Sequence, residues 1–388
     1  MALITNASIA CITPTDVNSL GTAIHPTVID FLIEHKMESW GGYRYWMAMT
    51  PWPNSNDGYE YPNVLGSNDG QTWEIPSGII NPIETNAQYG TSGTGMFQPD
   101  PDILYDPDEN CIRVYWQASN GDANTVGTWL KKIYSNHSIG EKIRVVTGTI
   151  DQDGTGYISC ATVRESANKW HQWVVRPFDA GAGNNSKIYY RFSTSGDSFS
   201  DGVECNTEIL SKYSRYPWHI SAKYNKWEER FEFLINDLQN SNYGLIKIFY
   251  GQAVLDNPTN INCPLNDYAI EPSLSGWDKG LYRATFVIER GENNYVYHVW
   301  YSGLDTQWHV GKTSGQLGVE FTTREIIGRS NGQDIKRPVY NPVEVNLSWL
   351  RTETNNGIKA FKLVDATDEL ATNLRIFTSE GIKSIANY

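Results

Sequence analysis

His25-Pro26-Thr27-Val28-Ile29, then Gly42-Tyr43-Arg44-Tyr45-Trp46-Met47-Ala48, then Tyr61-Pro62-Asn63-Val64-Leu65-Gly66-Ser67-Asn68-Asp69-Gly70-Gln71-Thr72-Trp73 follow one another near the start of the chain. Each run is apolar or alternating, and polar turns separate them. An Asp-Gly turn before an aromatic closes the last. This is the pattern of one small antiparallel sheet with a fourth strand at its edge. Weaker copies follow, and repetition of one small sheet is the signature of a β-propeller.

Short strands of the same kind begin near residues 25, 101, 160, 219 and 282. They are His25–Ile29, Pro101–Tyr105, Ser159–Val163, His219–Tyr224 and Tyr282–Phe286. A polar turn follows each start, and then an aromatic-rich second strand, such as Ile112–Trp116, His171–Val175, Phe231–Ile235 or Tyr295–Trp300. Third strands are legible as Ile188–Phe192, Leu245–Tyr250 and Trp308–Lys312. Ser193-Thr194-Ser195-Gly196-Asp197-Ser198-Phe199 repeats the spacing of Ser67-Asn68-Asp69-Gly70-Gln71-Thr72-Trp73. In both, Gly supplies positive φ and the hydroxyl or carboxylate bonds the turn backbone. The two turns are therefore expected to be equivalent and structural. The expected fold is all-β: a five-bladed propeller over residues 25–325, a closing strand and lead-in over 1–24, and a small β extension over 326–388.

Composition agrees with strands. The chain has 388 residues with 14 Trp, 23 Tyr and 33 Gly, and helix-period apolar runs are scarce. A net charge of −13 opposes binding to nucleic-acid phosphate or anionic membrane. The five Cys are widely spaced with no C-x-x-C pair, which fits buried reduced thiols. The first residues lack a basic region followed by an apolar one, so no signal peptide and no membrane insertion are expected.

The first segment resembles five-bladed propeller proteins of bacteriophage tails, whose propeller is similar to that of arabinanase- and β-xylosidase-type glycosidases. The resemblance rests on His25-Pro26-Thr27-Val28-Ile29-Asp30, Gly42–Pro51, Tyr61–Trp73 and Asn81-Pro82-Ile83. It implies a tail fibre or receptor-binding component of a virion, made in the host cytoplasm. The implied partners are a host cell-surface glycan, other tail proteins and further copies of the chain. The glycosidases place a catalytic Asp after the first-blade His, where this chain has Pro26. Pro101-Asp102 matches their second Asp, and Glu165 and Glu271 are the nearest acids to a third. Hydrolysis of a glycosidic bond needs two carboxyls, so it is expected to be absent or weak. A glycoside hydrolase and a ligand-free structural part are the alternatives.

His25, Asp102, His219 and Arg283 stand at or beside strand starts, and on a propeller such residues converge on the axial pocket mouth. They are expected to bind a sugar, with Trp46 or Trp218 stacking on a ring face. The competing reading is that they bond to one another and plug the channel. No catalytic residue, metal ligand or cofactor is assigned. Asp151–Gly156 opens like a calcium loop but lacks the remaining ligands; Asp100, Asp102, Asp106 and Asp108 alternate toward one face, which offers a metal site as the alternative to a solvated turn at Asp106-Pro107-Asp108, the reading adopted.

Overall fold

The computed structural model describes residues 4, 6–8, 10–14, 22–85, 89–91, 98–118, 127–145, 158–177, 185–238, 243–291 and 294–317, with the backbone of strands between 324 and 384. Asp151–Gly156 lies outside the described residues. Five antiparallel sheets succeed one another along the chain. Their innermost strands are Ala23–Asp30, Asp102–Asp106, Ile158–Ser166, Pro217–Asn225 and Gly280–Arg290. Each packs on the next, and the fifth packs on the first, which closes the ring. The chain is thus an all-β, five-bladed propeller.

Second strands run over Tyr45–Pro51, Cys111–Ala118, Lys169–Arg176, Arg230–Asp237 and Tyr295–Leu304. Third strands run over Asn63–Ser67, Gly127–Tyr134, Lys187–Ser193, Ile248–Val254 and Trp308–Gly315. The N-terminal segment pairs with the fifth blade: Ala10 bridges Gly311, and the Cys11 N–H donates to the Val310 carbonyl at 2.6 Å. Ile12 then exchanges bonds with the first blade, donating to Gln71 O and accepting from Trp73 N, both at 2.9 Å. Contacts group residues 320–388 with 226–228 as a second unit. It contains a four-stranded antiparallel sheet and the hairpin Arg375–Thr378 with Gly381–Ser384.

The apolar core lies in the wedges between blades. Ile29, Trp46 and Val64 pack with Ile103, Ile112 and Ile133 between the first two. Trp173, Phe231, Phe233 and Phe249 fill the wedge between the third and fourth. Both faces of each blade are covered, so the strands read as near-continuous apolar and aromatic runs. At its far end the first inner strand enters a short helix, Phe31–His35, capped by Asp30, which accepts from Leu32 N and Ile33 N. The Lys223 ammonium of the fourth blade reaches Glu34 at 2.7 Å and the Val28 carbonyl at 3.1 Å. This closes the ring centre at that end.

The two matched turns occupy equivalent places. The Ser67 hydroxyl accepts from Gly70 N at 2.8 Å, and that of Ser193 accepts from Gly196 N at 2.9 Å. Each Gly carbonyl then accepts from the second strand of the preceding blade: Gly70 from the Trp300 indole at 2.9 Å, Gly196 from the Tyr115 hydroxyl at 3.0 Å. Gly196 has φ +75°, and a Cβ there would lie 2.8 Å from the Trp170 ring. Gly196→Ala should therefore cost about 1–2 kcal/mol from backbone strain alone, more with the clash. Urea denaturation checks this, and an unchanged midpoint would contradict the strain assigned to this turn.

Candidate functional site

Four of the inner strands carry a register break at the same end, next to the ring centre. The breaks fall between Ile24 and Thr27, Ile158 and Cys160, Pro217 and His219, and Leu281 and Ala284. A bulge leaves its extra residue outside the ladder and re-aims the side chain. His25 and Ser159 sit in these breaks with φ of +57° and +53°, and Asp100, just before the second inner strand, has φ +57°. Left-handed backbone at three non-glycine residues is a cost that packing must offset. Its result is that residues far apart in sequence point at one spot.

That spot holds His25, Asp100 and His219, all buried. Asp100 Oδ1 lies 3.3 Å from His25 Nε2 and 3.1 Å from His219 Nδ1. The three atoms lie within 4.8 Å of one another. The other carboxylate oxygen, Oδ2, accepts from the Ser159 N–H at 3.0 Å. His25 Nδ1 lies 2.8 Å from the Thr50 hydroxyl. With Nδ1 carrying the proton to Thr50, the Nε2 lone pair faces Asp100 Oδ1. Among the described residues the Asp100 Oδ1–His219 Nδ1 pair, at 3.1 Å, satisfies only part of this cluster, and His25 Nε2 and His219 Nε2 have no further hydrogen-bond partner.

Burial pushes the His25 imidazole down to about 3, against the pull of Asp100 and with a further push from His219 and Arg283. His219 moves down for the same first reason. For Asp100 burial works upward, but His219, His25 and Arg283 outweigh it and hold the carboxyl below its ordinary range. The carboxylate and the two imidazoles thus form one coupled group, in which burial drives the imidazoles down and their attraction drives the carboxylate down. Leaving buried polar atoms without partners is costly. Two nitrogens and one oxygen at these separations fit a divalent cation of the zinc type. Metal–ligand bonds of about 2.0–2.2 Å in tetrahedral geometry put ligand atoms roughly 3.3 Å apart. The Thr50 contact is the outer partner such a histidine needs.

Glu60 is also buried, and no ion pair or side-chain hydrogen bond involves it among the described residues. Its carboxyl is pushed well above the ordinary range by burial first, then by the charges of Asp100 and Asp57. An aromatic wall stands beside the centre. Tyr282 lies 4.5 Å from the His219 ring and 5.1 Å from that of His25. The half-buried Trp218 donates its indole N–H to the Tyr282 hydroxyl at 2.8 Å. Trp52 stacks on Trp308 at 5.7 Å and on Tyr282 at 6.3 Å.

The six residues singled out by sequence thus separate. His25 and His219 meet in the centre, and Trp218 lies beside it. Asp102 is buried one step away, with its carboxylate accepting from the Thr162 N–H at 2.5 Å, and burial first of all raises it to about 6. Arg283 is fully buried and donates to backbone carbonyls, so it closes the channel and does not face a sugar. Trp46 departs furthest: it is fully buried in the wedge between the first two blades, its indole bonded to the Trp40 carbonyl at 2.9 Å. The expected turn forms and is exposed over residues 107–110, with the Asp106 side chain buried beneath it. Asp106 and Asp108 pair with Arg113 and Arg164, while Asp100 turns into the axis. Glu165 pairs with His171 and Lys169, and Glu271 with Lys247. Glu60 was missed by sequence reasoning, and Asp100 entered it only as one of four alternating acids for which a metal site was the second reading. One signal could have found Asp100: it precedes Pro101 at a blade start as His25 precedes Pro26.

No protein-family model matches the chain. It is 23% identical over 340 residues to the A type blood N-acetyl-alpha-D-galactosamine deacetylase of Flavonifractor plautii, a match covering 76% of this chain and 42% of that protein. The chain therefore spans less than half the length of this curated relative. A crystal structure of an N-acetylgalactosamine deacetylase from F. plautii, in complex with blood group B trisaccharide, superposes with a TM-score of 0.67 at 20% identity. That superposition covers 81% of this chain and 95% of the other. A structure from the GH130 family of mannoside phosphorylases and glycoside hydrolases superposes at 0.50 with 11% identity, covering 82% and 96%. The fold is thus one that carbohydrate-active enzymes use. These matches overturn the expectation of a phage tail receptor-binding component, since they lead to sugar-modifying enzymes and not to virion proteins.

The neutral state of His25 has a consequence for stability. Its pKa is about 3 in the folded chain against 6.5 for the free group. Between these values the unfolded chain binds the extra proton, so stability is full above about pH 6.5 and lost as pH falls toward 3. In chelator-treated protein His25 should contribute a loss of about 1.4 kcal/mol per pH unit across that window. Buried carboxyls such as Asp102, being raised, act in the opposite sense, so the comparison is with His25→Gln. Urea titrations at several pH values should show a shallower acid-side loss in the variant. Parallel slopes would mean that His25 is not buried in its neutral form.

Proposed function

We propose that this chain is a carbohydrate-active hydrolase that removes the N-acyl group from an amino-sugar residue of a glycan. The observation that carries this reading is the His25–Asp100–His219 centre, whose buried, only partly bonded donor atoms ask for a divalent cation. The similarity to a deacetylase supports the choice of bond. When bound there, the cation supplies positive charge to the carbonyl oxygen of the acyl group and to the attacking water.

The residues of the chain do the rest. Asp100 and the two histidines hold the charge in place, with Ser159 N–H and Thr50 fixing their orientation. Glu60, which burial and its acidic neighbours raise, would be held ionised by the positive charge of a bound cation and would then carry the proton. It takes one from the attacking water and returns it to the sugar nitrogen as the C–N bond breaks. The products are a free amine and a carboxylic acid. Trp218 and Tyr282 offer the aromatic surface on which the sugar ring rests. Cleavage of a glycosidic bond is less favoured. It needs two carboxyls facing the bond, and Asp102 is turned onto the third blade.

The test is incubation of the purified chain, loaded with zinc, cobalt or manganese, with oligosaccharides ending in N-acetylgalactosamine or N-acetylglucosamine. Acetate and free amine are the readouts. Wild type should release both, Asp100→Asn should fall to background, and Glu60→Gln should bind sugar without turnover. Turnover of aryl glycosides with no acetate release would replace the proposal with a glycosidase. Trp218→Ala should raise KM by roughly fivefold, about 1 kcal/mol, with kcat little changed. Steady-state kinetics with a terminal amino-sugar substrate would show it, and an unchanged KM would remove Trp218 from the binding surface.

A further inference from the structure

We infer that Arg283 is a positioning residue of the His25–Asp100–His219 centre, acting through the backbone of three blades at once. It belongs to the fifth blade and is fully buried at the axis. Its Nη1 donates to the Pro101 carbonyl at 3.0 Å, and its Nη2 donates to those of Cys160 at 2.7 Å and Ile220 at 3.3 Å. These three carbonyls lie on the inner strands of the second, third and fourth blades or at their threshold.

Their positions in sequence give the contact its meaning. Pro101 follows Asp100. Ile220 follows His219. Cys160 follows Ser159, whose N–H holds Asp100 Oδ2 at 3.0 Å. One guanidinium therefore fixes the carbonyl of the residue that follows each of two centre residues and of the residue that follows the group orienting the carboxylate. Ser159 adds a cross-tie: its hydroxyl accepts from Ile220 N at 3.1 Å, linking the third and fourth blades at the same level. A bulged strand start is free to swing unless something outside the ladder holds it. A planar fork with donors in fixed directions can span three carbonyls, whereas an ammonium is a single point.

The inference rests on the cation reading above, and the experiment keeps the two apart. Cobalt(II) serves as the probe, by its visible absorption and by competition with a chromophoric chelator. Wild type should bind cobalt with a defined spectrum. If it binds none, the cation reading falls and takes this inference with it. Arg283→Lys, which keeps the charge and loses the fork, should bind cobalt about 10- to 100-fold more weakly, with shifted absorption bands. Arg283→Gln should lose more. Gly196→Ala is the control: it weakens the fold at a blade turn away from the axis and should leave the spectrum unchanged. Wild-type affinity and spectrum in Arg283→Lys would overturn the inference, as would an equal change in Gly196→Ala. Failure of both Arg283 variants to fold, judged by circular dichroism, would assign the residue to folding and overturn it as well.

Discussion

A carboxylate buried between two imidazoles is the interaction on which the axial end of this propeller depends. Removing a carboxylate from water costs several kcal/mol even after the surroundings relax. Asp100 is offset by one peptide N–H, from Ser159, and by the nearby Arg283 guanidinium. Oδ1 faces the two imidazoles, at 3.1 Å from His219 Nδ1 and 3.3 Å from His25 Nε2. A core selected for stability alone would fill this space with apolar side chains. Here two imidazoles and a carboxylate are buried together instead, and that contrast marks the region as a site.

The strain around it points the same way. Left-handed backbone at His25, Asp100 and Ser159 costs on the order of 1–3 kcal/mol per residue, and two of the three precede proline, which narrows their choices further. The propeller tolerates this because its stability comes from elsewhere. The wedges between blades are packed with buried Trp, Tyr and Phe, and the N-terminal strand ties the fifth blade to the first. Rigid blades therefore carry the cost of aiming side chains at the axis. A mobile loop could not hold three ligand atoms within 4.8 Å of one another.

The sequence made the blades legible because their signals are local. Period-two strands, Asp-Gly and Ser-Gly turns, and aromatics in second strands can each be read within ten residues. Thus the turns at Gly70 and Gly196 were paired by spacing alone, and the structure gives them equivalent bonds. The third strand of the second blade, Gly127–Tyr134, went unread because its lysines and Gly dilute the apolar pattern. The site was half legible. His25 and His219 stand out as polar residues at strand starts. Asp100 did not, because a run of alternating acids is normally solvated, and only the φ of +57° separates it from Asp106 and Asp108. Trp46 misled for the opposite reason. Its neighbours alternate, and nothing local tells the axial face of a strand from the face that packs on the next blade.

The first-blade Pro26 changes meaning in this light. Measured against the glycosidases that the sequence resembles, it is a missing acid, and a missing acid suggests a lost activity. In the folded chain His25 itself enters the centre, at a bulge that its proline helps to define. One axial carboxylate with two imidazoles is a different instrument from two carboxylates. It suits a cation, and a cation suits polarising a carbonyl more than protonating an ether oxygen. The fold sets where side chains converge, and the residue types placed there set the reaction. Departure from the glycosidase pattern is therefore informative in itself: it is what a propeller would show if its axial site had exchanged one hydrolysis for another.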